Sequence, residues 1–185
     1  LKQTPLTPEA QPILHALQSL GRQMSQDIQR MVYTLRPAHL DDLGLVQALQ
    51  ALFDRVGCSM QLEIDFKVEG EAKRLEPVLE IVLFRIAQEA LTNISRHAQT
   101  NQTWVQLSFR PKQVSLLICD AGVGFRVPEE LSTLHSWGLV GMRERAESVG
   151  GEFRISSTVG HGTTLEVSAP TDLAQEDLDA GNSLN

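Results

Sequence analysis

The sequence is short of cysteine, of long apolar runs and of positive charge, and each shortage removes a class of answer. Its 185 residues include two cysteines, Cys58 and Cys119. Two thiols so far apart in sequence suggest neither a disulfide framework nor a zinc site, and a reducing cytoplasm is the simple reading. No apolar run approaches the roughly 20 residues that a membrane helix needs, and no signal peptide is visible. The formal net charge is −7. Such a surface repels phosphate backbones, so no nucleic-acid partner is expected. A single nucleotide is different, because a metal ion and a few local cations neutralise it. What is present is apolar residue content of 42%, enough for a packed core. The chain opens at Leu1 rather than Met and reads as a piece of something longer. A membrane anchor would lie outside it.

The pattern along the chain is helical from about Ile13 to Leu35. Leu14, Leu17, Met24, Ile28, Met31 and Leu35 form a narrow apolar stripe of coiled-coil type. Such a stripe suits a helix packed on its own domain or a helix from a dimeric bundle. Pro37 ends it. A short helix is expected from Leu43 to Val56, with Asp41 or Asp42 as its N-cap. Met60, Leu62, Ile64, Phe66 and Val68 alternate with mostly polar residues, as in a half-buried strand. Pro77 opens a long helix reaching about Ala98. Strands follow at Thr103 to Phe109 and Val114 to Cys119 around Pro111-Lys112. A loop runs to about Trp137, then a helix from Leu139 to Val149 closed by Gly150-Gly151. Glu152 to Ser157 and Thr163 to Ser168 are strands around the Gly160-His161-Gly162 turn. The polar, acidic tail after Pro170 reads as disordered. Successive strands pair as hairpins, so the sheet is expected to be mixed and mostly antiparallel, with helices on one face. That is an α+β fold, a two-layer α/β sandwich.

Four stretches carry chemistry. On the long helix, Glu89, Asn93 and His97 are spaced by four and share a face, with Arg96 beside them. The stripe is either a solvated face or a site for a magnesium nucleotide. A carboxamide oxygen is a hard ligand for Mg²⁺, a carboxylate holds its water, and cations meet phosphate. Ile86, Ala90, Leu91 and Ile94 are left to pack on the sheet. Next, Asp120-Ala121-Gly122-Val123-Gly124-Phe125 follows an apolar strand. A carboxylate there needs a partner. It is either a turn residue or an acceptor for an adenine amine, with glycines that let backbone approach a flat ring. Third, Gly138-Leu139-Val140-Gly141-Met142 opens a helix whose free N–H groups suit phosphate, although the Gly-Lys-Ser/Thr of a P-loop is absent. Last, Gly160-His161-Gly162-Thr163 is a hairpin turn that adds a hydroxyl.

In order and spacing, QEALTNISRHA, DAGVGF, GLVGMRERAESVGG and GHGTTLEVSAP resemble the N, G1 and G2 boxes of the histidine kinase ATPase domain. Its Bergerat-type ATP-binding fold is shared with gyrase and the heat-shock-90 chaperones. The resemblance spans about Leu40 to Pro170. Leu35 to Leu49 also resembles the LRPxxLDDLGLxxAL linker of kinases that partner LuxR-type response regulators. The resemblance implies a protein histidine kinase using ATP and Mg²⁺. It implies that Asn93 is the Mg²⁺ ligand and that Glu89 lies near the metal through water, both of them catalytic. Arg96 and His97 would face phosphate, and Asp120 would read adenine. Gly122 and Gly124 would line the nucleotide, and Gly138, Leu139, Gly141 and Met142 would lie along it. Thr163 would sit near the adenine. The stretch from Arg126 to Trp137 would be a short lid.

One departure matters. The phosphorylated histidine of such kinases sits in a pattern like H-D/E-x-x-x-Q, which is missing here. His15 is followed by Ala16-Leu17-Gln18, so no acid adjoins it as base. His39 lies in the linker. Residues 1–40 are therefore expected to be the second helix of a dimerisation segment with its linker, 41–170 the catalytic domain and 171–185 a tail. The acceptor would be on the protein's own upstream helix, in a homodimer of the full-length protein, and phosphate would pass on to the regulator. A plain ATPase or nucleotide-binding switch of the same fold, and a non-catalytic module, are the alternatives.

Overall fold

The computed structural model describes residues 38–127 and 137–172. The expected helix from Ile13 to Leu35, most of the lid and nearly all of the tail lie outside these residues. The first described element, α1, spans Ala38–Met60 and is interrupted at Gly44, where φ is 79° and ψ is 174°. The expectation of a helix starting at Leu43 under an aspartate cap is corrected accordingly. Helical backbone is already present at Ala38, and the break is a glycine in a conformation that side chains disfavour. Beyond the break, Leu45, Ala48, Leu49, Leu52, Phe53 and Val56 are all buried. Their steps of three and four make one apolar face.

Strand β1, Glu63–Glu69, follows. The long helix α2, Pro77–Asn93, starts with proline at its first turn, where the missing N–H costs nothing. It carries Leu79, Val82, Leu83, Phe84, Ile86, Ala87, Ala90 and Leu91 into the core, a wide arc that fits its place between α1, α3 and the sheet. Each fully buried leucine contributes about 1.5–3 kcal/mol. The expected reach to Ala98 is observed with a change of pitch, since Ile94–Ala98 is a π-helical turn. Strands β2, Gln102–Arg110, and β3, Gln113–Asp120, form a hairpin. Helix α3 spans Trp137–Glu147. Strands β4, Glu152–Ser157, and β5, Thr163–Pro170, form the last hairpin.

The sheet order is β1-β2-β3-β5-β4. β1 pairs with β2 in parallel, across the α2 crossover, and the other pairs are antiparallel. This is the mixed sheet that the sequence predicts. Alternate residues of β3, Val114, Leu116, Ile118 and Asp120, are buried beneath the helices, while Gln113, Ser115, Leu117 and Cys119 point to the other face. That second face is mostly polar. On it Lys67 donates to Glu69 at 2.6 Å, which raises the lysine pKa and lowers the glutamate's. Both groups are in water and the pair contributes little to stability. Among the described residues, no helix is long and apolar enough to cross a membrane.

Candidate functional site

The register of the sheet builds one end of a cleft. Thr103, Asp120, Thr163 and Ser157 are Cα partners in sequence across β2, β3, β5 and β4. Partners across a ladder point to the same side, so four polar side chains form a row on the helix-facing side of the sheet. Two residues along, Val105, Ile118, Leu165 and Ile155 form an apolar row. A cleft of about 350 Å³ opens over these rows. Ile118, Asp120, Ile155, Thr163 and Leu165 make its floor. Ala90, Asn93, Ile94, His97 and Ala98 make one wall, Leu139 and Met142 another, and Gly124 and Phe125 the approach.

The loop after β3 is fastened on three sides. Gly122 N–H donates to Asp120 Oδ1 at 2.8 Å, an Asx-type turn. Val123 N–H donates to the Ala98 carbonyl at 2.8 Å, and Gly160 N–H donates to the Val123 carbonyl at 2.7 Å. Phe125 N–H donates to Ser157 Oγ at 2.9 Å. A side chain at Gly122 would collide with the Ala98 carbonyl and the Asp120 carboxylate, so its close approach is to the protein itself. Gly162, at φ 73°, faces the Asp120 carbonyl with no room for a Cβ. That contact draws the β4–β5 turn against the end of β3 and sets Thr163 beside Asp120.

The π-helical turn shapes the opposite end. Asn93 is the last α-helical residue and the widened turn follows it. π turns inside helices concentrate at functional sites. Here the turn brings Ile94, His97 and Ala98 to the cleft together with Asn93. His97 is exposed and Asn93 half-buried. Glu89, half-buried one turn before Asn93, sits against Gly138 at the start of α3, where a Cβ would strike its Oε1. The two polar ends and the apolar floor between them suit a ligand with a flat apolar part and an anionic part.

Residues 79–173 match the family of histidine kinase-, DNA gyrase B-, and HSP90-like ATPases, just over half of the chain. The chain belongs to this ATPase family. Among its relatives are the signal transduction histidine-protein kinase/phosphatase DegS of Brevibacillus brevis, 33% identical over 88% of this chain and 42% of that protein. The oxygen sensor histidine kinase NreB of Staphylococcus carnosus is 30% identical over 83% of this chain and 44% of its own length. This chain therefore spans less than half of these curated relatives. The histidine kinase domain of a blue-light activated histidine kinase from Erythrobacter litoralis superposes with a TM-score of 0.52 at 21% identity, over 69% of this chain and 59% of that one. It shares the fold.

Of the residues singled out in the sequence, Asn93, His97, Asp120, Gly124, Leu139, Met142 and Thr163 line the one cleft. Glu89, Arg96, Gly122, Gly138 and Gly141 do not. Glu89 and Gly138 flank it behind Asn93, and the Gly141 position faces the Arg145 side chain. The sequence reading missed Ser157 and the apolar floor of Ile118, Ile155 and Leu165. Their signal is the facing register of three strands, which a single chain's pattern does not give. The donors fit a metal that arrives with its substrate. No group of three or more His, Cys, Asp or Glu able to hold a metal exists among the described residues, and Mg²⁺ characteristically takes one or two protein oxygens plus phosphates. Asn93 and Glu89 could supply that much.

Proposed function

We propose that this chain is the ATP-binding catalytic portion of a sensor histidine kinase, passing the γ-phosphate of ATP to a histidine that the chain does not contain. The observation that carries the reading is a cleft that has Asp120 and Thr163 at one end and Asn93 and His97 at the other. Asp120 has one oxygen on Gly122, and the other would accept the adenine amine. Ile118, Ile155, Leu165 and Met142 would hold the ring between apolar surfaces. Asn93, with Glu89 through water, would hold Mg²⁺, which supplies charge neutralisation at the phosphates. Arg96 and His97, both exposed, would meet the phosphates at the mouth. The Gly138 and Gly141 end of α3 would offer free N–H groups to them. Catalysis on such a scaffold is positioning and charge stabilisation.

On the same reading, residues 1–40 are half of a dimerisation segment and its linker, 41–170 the catalytic domain and 171–185 a tail. The full-length protein is a homodimer that works in the cytoplasm, hands phosphate to a LuxR-type response regulator and is membrane-anchored only through segments outside this chain. A second reading is an ATPase switch of the same fold, in which Glu89 would activate water. Incubation with Mg²⁺, radiolabelled ATP and a separately supplied helix bearing a histidine followed by an acid separates the two. Acid-labile label on the supplied histidine, with little on the chain itself, is the expected outcome. Steady phosphate release without transfer would favour the switch, and failure to bind ATP would sink both.

A further inference from the structure

The hydroxyl of Ser157 has a complete set of partners. It donates to the Gly162 carbonyl at 2.8 Å and accepts from the Phe125 N–H at 2.9 Å. Its third neighbour is Thr163 Oγ1 at 3.1 Å. A hydroxyl has one proton and two acceptor lone pairs. The carbonyl of Gly162 can only accept and the N–H of Phe125 can only donate, so the Ser157 proton is already in use and one lone pair remains. The Thr163 hydroxyl must therefore donate to Ser157. Its own proton then points away from the cleft that it lines, and lone pairs are what it has left to offer there. Its cross-strand partner Asp120 is, when ionised, an acceptor as well. Ser156, the preceding residue, is exposed and belongs to the other face of the sheet.

We propose that Ser157 is a positioning residue that sets base specificity. By taking the Thr163 proton it makes the base end of the cleft acceptor-only, and that end selects a base with an exocyclic amine over one with a carbonyl at the same position. The inference rests on the reading of the cleft as a nucleotide site. An amine donates to both Asp120 and Thr163, whereas a carbonyl oxygen meets lone pairs from both. Ser157 also ties the loop at Phe125 to the β4–β5 turn, so the selecting group and the approach to the cleft are held by one atom.

The test compares ATP with inosine triphosphate, which carries a carbonyl in place of the amine, by calorimetric titration of the 185-residue chain with Mg²⁺. The parent is expected to prefer ATP by at least about 10-fold. Ser157→Ala frees Thr163 to turn its proton into the cleft, and the preference should fall by about three- to ten-fold. Ser157→Thr keeps the hydroxyl and should keep the preference. A purely structural role would weaken both nucleotides by one factor and leave their ratio unchanged, which overturns the proposal. Thr163→Val leaves Ser157 intact and covers the case in which Ser157→Ala fails to fold. It removes the acceptor, so the preference should again fall, and a parental ratio in that variant overturns the proposal too. A parent that binds both nucleotides equally defeats the specificity inference alone. A parent that binds neither defeats the nucleotide reading itself.

Discussion

One oxygen of the Asp120 carboxylate accepts the Gly122 N–H at 2.8 Å, while the side chain lines the cleft floor. The two readings open in the sequence, turn residue and base-reading acid, are therefore compatible in one side chain. This makes Asp120→Asn an informative change. The amide oxygen keeps the turn, and the amide N–H₂ replaces an acceptor at the adenine amine. Hydrogen bonds to charged groups contribute about 1.5–3 kcal/mol, so ATP affinity should fall roughly 10- to 150-fold with little change in thermal midpoint. Titration calorimetry and a melting curve check this, and an unchanged ATP affinity would remove Asp120 from the base end. Asp120 was legible because a carboxylate after an apolar strand needs a reason. Ser157 was not, since a strand serine looks like any surface residue until its partners across β5 are known.

At the scale of elements, the strands and helices among the described residues were legible from alternation, three-to-four spacing, proline and glycine, and their order followed. Two features escaped, the π-helical turn at Ile94–Ala98 and the break at Gly44. Neither leaves a mark in hydrophobic periodicity. The break sits in a small knot. Arg74 donates to the Leu40 carbonyl at 3.1 Å and pairs with Glu80 at 3.3 Å, and its side chain lies over Gly44. Glu80 is fully buried and accepts the Leu75 N–H at 3.2 Å. The knot fastens the start of α1 to the turn before α2. The ion pair joins a half-exposed guanidinium to a fully buried carboxylate, so its attraction is largely offset by the cost of burying Glu80. The larger effect is the buried N–H of Leu75. Glu80→Ala leaves that donor without its acceptor and opens a void, and should cost roughly 1–3 kcal/mol. Urea denaturation measures it, and a loss below about 0.5 kcal/mol, the ordinary range for surface changes, would show that the knot does not hold α1.

For the molecule as a whole, the cleft joins parts that are distant in the chain: the end of α2, the loop after β3, the start of α3 and the β4–β5 hairpin. A ligand filling it touches all of them and none of them once the chain unfolds, so binding must raise global stability. At a nucleotide concentration of 100 times Kd the gain is about 2.7 kcal/mol. For a chain of this length, 1 kcal/mol moves the midpoint by roughly 2–4 °C, so saturating Mg²⁺ and ATP should raise Tm by about 5–11 °C. The formal net charge of −7 gives the metal a second role in that measurement. ATP stripped of Mg²⁺ brings its full anionic charge to an acidic protein, and the turn that follows Asn93 carries a permanent cation in Arg96. The shift should therefore shrink when a chelator replaces the metal, and shrink further at low salt, where repulsion is less screened. Calorimetric scans with ATP and Mg²⁺, and with ATP and chelator, separate the terms. Equal shifts in the two would take the metal out of the site, and no shift in either would mean that the cleft does not hold ATP.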